Sequence, residues 1–277
     1  MNYFKIIIFG KEGLNMKKFL SLALAAVMAL SLAACGGSSS APADSSEGGS
    51  AEKKFIIATD TTFAPFEFTD ENGDFVGIDV DILAAVAADQ GFTYDLQSLG
   101  FDAAVAALES GQCDGTIAGM SITDERKEKY NFSEAYYDSY VCVAVKEDSD
   151  IKGFEDLKGK TVAAKTGTMG ANCAESYKDK YGYEIAYFDA SDMMYQDVAT
   201  GNSVACFEDQ PVMAYNVAQG NGLKIVADAK EEFSTPYGFA VLKGNNDDLL
   251  KMFNDGLANI KANGTYDEIV AKYTGTK

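Results

Sequence analysis

The sequence predicts an α/β fold with mostly parallel sheets, and three observations carry that reading. Short apolar runs recur along the chain, amphipathic stretches of helical spacing separate them, and 47% of the 277 residues are hydrophobic. That is enough core-forming material for one or two ordinary globular domains. Phe55-Ile56-Ile57-Ala58, Gly115-Thr116-Ile117-Ala118, Val141 to Val145, Thr161 to Ala164, Ser203 to Phe207 and Gly238 to Leu242 read as buried strands. Between them, Ile82 to Gln90, Asp102 to Ser110, Gly170 to Lys180, Ser191 to Thr200, Gln210 to Gln219 and Asp247 to Asn263 carry helical apolar spacing. Several of these end at glycine, and Asp102 suits the N-cap of its helix. No repeat at a solenoid period is evident.

The first 34 residues read as an address. Met16-Lys17-Lys18 is a basic start, Phe19 to Leu30 is almost wholly apolar, and Leu32-Ala33-Ala34-Cys35 follows. This order resembles a bacterial lipoprotein signal, which implies cleavage before Cys35, diacylglycerol on its sulfur and a new amino terminus open to acylation. The competing reading is a transmembrane anchor. The run from Phe19 to Ala34 is shorter than the roughly 20 residues a span needs, so the lipoprotein is preferred. Met1 to Asn15 fit neither a signal nor a domain, and Met16 is the expected true start. From Gly36 to Glu52 no aliphatic residue exceeds alanine, and residues 35–54 are expected to form a lipidated cysteine and flexible tether. Its random-coil reach is roughly 20–25 Å.

The formal charge is −19, and removing residues 1–34, with four Lys and one Glu, makes it −22. No basic cluster follows the signal, which argues against nucleic acid. The chain contains no histidine, which excludes Ser-His-Asp, Cys-His and imidazole-metal chemistries.

Five motifs then occur in order: TDTTFAPFEF from Thr59, GIDVDI from Gly77, AGMSITDERK from Ala118, NFS from Asn131 and NGTYDE from Asn263. With them, residues 55–277 resemble the bacterial extracellular solute-binding proteins of family 3, which serve polar amino-acid ABC importers, and most resemble the glutamine-binding members. The resemblance implies the type II periplasmic-binding-protein fold, two α/β lobes joined by crossover strands. Residues 55–135 plus 238–277 would form lobe 1 and 141–232 lobe 2, with hinges at 136–140 and 233–237. It also implies an amino acid held in the cleft, lobes that close on it, and ABC permease subunits as partners. No cofactor or metal is called for, and a monomer is expected.

The site residues combine local chemistry with this resemblance. Arg126, in a polar loop, has a planar fork suited to an α-carboxylate, although a loop arginine is commonly just exposed. Ala118, Gly119 and Ser121 follow a buried strand, where a glycine permits close backbone approach and Ser121 offers an N–H and a hydroxyl. Thr168 and Met169 precede a helix whose amides favour an anion, and ordinary capping is compatible with that. Asp209, after a strand, would pair the α-ammonium, or else cap the next helix. Phe63 and Phe101 would flank the aliphatic stem, although aromatics are more often core.

Asp60, Lys165 and Glu208 remain to read the ligand's side chain. Asp60 and Lys165 match the glutamine-binding pattern, whereas Glu208 stands where those members carry histidine. If all three reach the pocket its residual charge is −1, which disfavours acidic ligands. A neutral amide pairs with Asp60 and Lys165, Glu208 being spent on Lys165. A free Glu208 would favour arginine or lysine. Glutamine ranks first, other neutral polar amino acids second, basic ones third and acidic ones last. The reading from another class is an extracellular dehydratase on the same fold with Glu208 as acid or base. Besides Cys35, four cysteines remain, Cys113, Cys142, Cys173 and Cys206, whose pairing the sequence leaves open and whose default is buried thiols.

Overall fold

The computed structural model describes residues 54–275. The signal, Cys35 and all but the last residue of the expected tether lie outside the described residues. Lys54, that last residue, is already in a strand, paired with Thr93 of the neighbouring strand, and its ammonium reaches Asp95 at 3.2 Å.

The described residues form two large sheets and a two-stranded one, Phe68–Thr69 with Phe75–Val76. In order come β1 (Lys54–Thr59), β2 (Phe68–Thr69), β3 (Phe75–Val76), α1 (Ile78–Gln90), β4 (Thr93–Ser98), α2 (Phe101–Glu109), β5 (Gly115–Thr116), α3 (Asp124–Lys129) and β6 (Tyr130–Phe132). β7 (Tyr137–Lys146) enters the second sheet, followed by β8 (Thr161–Lys165), α4 (Met169–Tyr181), β9 (Glu184–Phe188), α5 (Ser191–Thr200), β10 (Ala205–Asp209), α6 (Gln210–Ala218) and β11 (Leu223–Asp228). β12 (Ser234–Tyr237) leads back to β13 (Ala240–Leu242) in the first sheet, and α7 (Asp247–Ala262) and α8 (Thr265–Thr274) follow. The first sheet has the order β4-β1-β5-β13-β6 and the second β11-β7-β10-β8-β9. β1 runs parallel to β4 and β5, and β8 parallel to β9 and β10, as the strand–helix alternation predicts. Between the sheets, β12 lies antiparallel on the first half of β7, Ser234 opposite Tyr140 and Tyr237 opposite Tyr137. The result is a two-lobed α/β fold.

Each lobe has its own core, which explains the unbroken apolar runs. Along β7, Val141, Val143 and Val145 face one helical layer while Cys142 and Ala144 face the other, and all are buried. A strand covered on both faces has no polar side to show. In lobe 1, Ile57, Ile82, Val86, Phe239 and Phe253 pack between sheet and helices, with the Phe239 and Phe253 rings stacked at 4.4 Å.

Some elements differ from the sequence reading. α2 starts one residue earlier, so Gly100 occupies the cap and Asp102 sits in the first turn, where its charge still faces the amide dipole. α3 has no apolar residue in DERKEK and so no periodicity to read; Thr123 caps it, accepting from the Arg126 amide at 3.1 Å. β4, β9 and β11 are half-exposed outer strands whose mixed composition hid them. Cys113, Cys142, Cys173 and Cys206 are all free and buried. Burial pushes these thiols up, Cys173 to about 12, which keeps them protonated and unreactive.

Candidate functional site

The parallel strands of both lobes end toward a shared cleft. Asp60 follows β1, Ala118 and Gly119 follow β5, Lys165 ends β8 and Asp209 ends β10. Strand C-termini are where helices begin and polar backbone gathers. Around them lies a narrow cavity of about 10 Å³, also lined by Phe63, Phe101, Ser121, Arg126, Thr168 and Met169.

Arg126 is held in place by main-chain carbonyls from both lobes. Its Nη1 donates to Ser121 O at 2.9 Å and its Nη2 to Gly167 O at 2.9 Å. The guanidinium lies 5.4 Å from the centroid of the Phe101 ring, so Phe101 serves as its shelf. Those two bonds use two of five N–H groups and leave the fork its donors toward the cavity. Thr168 caps α4 by accepting from the Ala171 amide at 3.2 Å, and its hydroxyl donates to Lys165 O at 2.7 Å.

Asp209 occupies the N-cap position of α6, yet its side chain makes no cap bond. It accepts instead from the Tyr237 hydroxyl at 2.5 Å. Burial, then the neighbouring Glu208 charge, pushes Asp209 up to about 7, with Tyr237, Arg126 and Lys165 opposing the shift. A cation brought to this carboxylate would hold it ionised.

Asp60 and Lys165 form an ion pair across the cleft, both side chains 1% exposed. Lys165 Nζ also lies 5.2 Å from the centroid of the Phe63 ring and 3.4 Å from Ser191 Oγ. The sequence reading leaves Glu208 either spent on Lys165 or free in the pocket. Lys165 goes to Asp60, while Glu208 accepts from the Tyr195 hydroxyl at 2.7 Å and from the Asp209 amide at 2.8 Å. Glu208 is buried and does not line the cavity, although Lys165 and Ser191 lie near its carboxyl. Its carboxyl is pushed up by burial and drawn back by Lys165.

Gly119 has φ +52, and a Cβ there would fall 2.4 Å from the Phe63 ring. Only glycine fits without moving that aromatic. Its amide donates to Asp79 Oδ2 at 2.7 Å. The sequence reading missed Tyr237, Tyr195, Ser191 and Asp79, which contact Asp209, Glu208, Lys165 and the Gly119 amide respectively.

The family model for bacterial extracellular solute-binding proteins, family 3, matches residues 55–276. The chain belongs to that family. It is 31% identical over 265 residues to the arginine-binding extracellular protein ArtP of Bacillus subtilis, covering 95% of this chain and all of the relative. An ancestral arginine-binding protein solved with bound glutamine is 38% identical, covers 80% of this chain and 98% of its own, and superposes with a TM-score of 0.73. The second substrate-binding domain of Lactococcus lactis GlnP, in open conformation, is 41% identical over 80% of this chain and 96% of its own, with a TM-score of 0.55. These relatives are named as binding proteins, and the family 3 solute-binding chain described here is one of the amino-acid-binding group serving ABC transporters.

Proposed function

We propose that this family 3 protein is an extracytoplasmic lipoprotein, anchored through Cys35, that binds glutamine between its lobes and delivers it to ABC permease subunits. Arg126 takes the α-carboxylate and Asp209 the α-ammonium, with Phe63 and Phe101 along the stem. β7 and β12 are the hinge about which the lobes close, because they carry the chain between the two sheets.

The observation that carries glutamine is the neutral side-chain pocket. Asp60 and Lys165 cancel, and Glu208, bonded to Tyr195 and the Asp209 amide, does not line the cavity, so the charge left to meet the ligand is zero rather than −1. An acceptor and a donor side by side suit a carboxamide. A guanidinium or ammonium would meet the Lys165 charge in a site shielded from water. The arginine named for ArtP favours a second reading, a basic ligand, and the ancestral arginine-binding fold solved with glutamine joins the two.

A thermal-shift screen of the amino acids tests this. A ligand at 100 times its dissociation constant stabilises by about 2.7 kcal/mol. Glutamine is expected to give the largest shift, then other neutral polar amino acids, then basic ones, with acidic ones last. A larger shift with arginine or glutamate than with glutamine overturns the order. For anchoring and delivery, cells lacking other binders should lose labelled-glutamine uptake with Cys35→Ser, the protein leaving the membrane fraction. Unchanged membrane attachment of that variant would refute the anchor.

A further inference from the structure

Beneath the cleft lies a pair of acids that ligand contact does not use. Glu67 and Asp79 are both fully buried. Asp79 Oδ2 accepts from the Gly119 amide at 2.7 Å and from the Tyr136 hydroxyl at 2.8 Å. Neither Glu67 oxygen, nor Asp79 Oδ1, receives an N–H or O–H from any other group. The Glu67 and Asp79 backbones lie against each other, Asp79 N donating to Phe66 O at 2.9 Å, so two buried carboxyls with unpartnered oxygens are neighbours. Two buried carboxylates side by side, with no donor on the facing oxygens, repel each other, and one shared proton removes that cost.

The backbone forces the two acids together. Gly77, at φ +144, lets the chain lie so close that a Cβ would fall 2.0 Å from Phe66 O. The first amides of α1 then reach this segment, Ile78 N to Pro65 O and Asp79 N to Phe66 O, each at 2.9 Å. Asp79, in the first turn of α1 with two donors on one oxygen, is the better anion. Glu67, with none, is the acid.

We propose that Glu67 and Asp79 share one proton, and that the protonated pair is a positioning element of the cleft, tying the Gly119 loop to the chain at Tyr136 where it enters β7. Gly119 borders the cavity, and Tyr136 precedes the strand that crosses between sheets, so one carboxylate fixes a wall of the site to the crossover. The other titratable and charged groups facing the pair are Asp60 and Lys165 from the cleft, Tyr136 itself, and Tyr266 of α8, whose hydroxyl donates to Tyr136 O. Burial raises both acids, Glu67 well above the usual range and Asp79 to about 6; Asp79 and Asp60 push Glu67 further up and Lys165 draws it back.

The sign follows from proton counting. The native state keeps a proton that the unfolded chain releases above the ordinary carboxylate range. Stability contributed by the pair is therefore full below that range and is lost as pH rises toward the native pKa.

Thermal unfolding of wild type and Glu67→Gln between about pH 5 and 8 reads this directly. Gln keeps a donor to Asp79 but cannot titrate, so the pH slope of its stability should differ from wild type by one proton. Glutamine calorimetry supplies the positioning test: Glu67→Ala should bind roughly tenfold more weakly, and Glu67→Gln should return to within about threefold of wild type. Equal pH slopes, or an Ala variant that binds like wild type, overturn the proposal. Infrared spectra of the wild-type protein at about pH 8.5, above the Asp209 value, should retain the carbonyl band of a protonated carboxyl, and its absence overturns the proposal even if Glu67→Gln does not fold. The binding arm rests on the glutamine reading. The proton count and the infrared band do not, so failure of that reading leaves them standing.

Discussion

Arg126→Ala is expected to cost about 3–5 kcal/mol of glutamine binding, two to three orders of magnitude or more in affinity. The size comes from leaving a desolvated α-carboxylate unpaired inside the closed cleft. The guanidinium is already fixed before any ligand contact: Ser121 O and Gly167 O hold one terminal nitrogen each, and Phe101 supports the plane. No ordering of this side chain remains to oppose binding. Folding should survive, because Arg126 is half-buried on the short α3 and belongs to neither lobe's core. Arg126→Lys should fall between, keeping charge but losing the fork. Calorimetric titration is the measurement, since the chain has no tryptophan to report closure. A folded Ala variant with unchanged affinity would falsify the assignment.

The lobes were legible in the sequence for a physical reason, and so were the gaps. Central strands such as Val141 to Val145 are covered on both faces and so read as unbroken apolar runs, whereas β9, half-exposed at the sheet edge, spells EIAYF and looks like little. Arg126, Asp209 and Lys165 stand out because charged residues beside buried strands need a partner or a ligand. Glu208 stays open between Lys165 and the free pocket because nothing in the sequence puts Tyr195 beside it. The period-2 alternation of β10 puts Glu208 and Asp209 on opposite faces of the strand, and Glu208 is buried against Tyr195. The Glu67 and Asp79 pair was not legible at all. Nothing in PFEF or GIDVDI announces that Gly77 folds one motif onto the other.

Lys165→Met carries the second large effect, and it concerns specificity more than strength. Removing one member of a buried ion pair usually costs about 3–5 kcal/mol, because the partner is left charged and dry. Here Asp60 comes from lobe 1 and Lys165 from lobe 2, so parting the lobes rehydrates the orphan. The cost should fall on closure rather than on folding: each lobe keeps its core, and bonds between lobes such as Arg126 Nη2 to Gly167 O at 2.9 Å, Ser191 N to Thr62 Oγ1 at 3.3 Å and Asn216 Nδ2 to Ala64 O at 3.4 Å are not buried ion pairs. Small-angle scattering with glutamine present should therefore show a larger radius of gyration than wild type, with thermal stability without ligand little changed. The pocket's charge meanwhile moves from zero to −1. A cationic side chain can then take the place of the lost ammonium against Asp60, while the carboxamide loses its counterbalanced donor and acceptor. Glutamine should weaken by roughly a hundredfold and arginine should gain on it by at least tenfold, inverting the wild-type order. Competition calorimetry of the two amino acids on wild type and variant measures the ratio. An unchanged ratio would mean that the Asp60 and Lys165 pair only holds the lobes together and does not read the ligand.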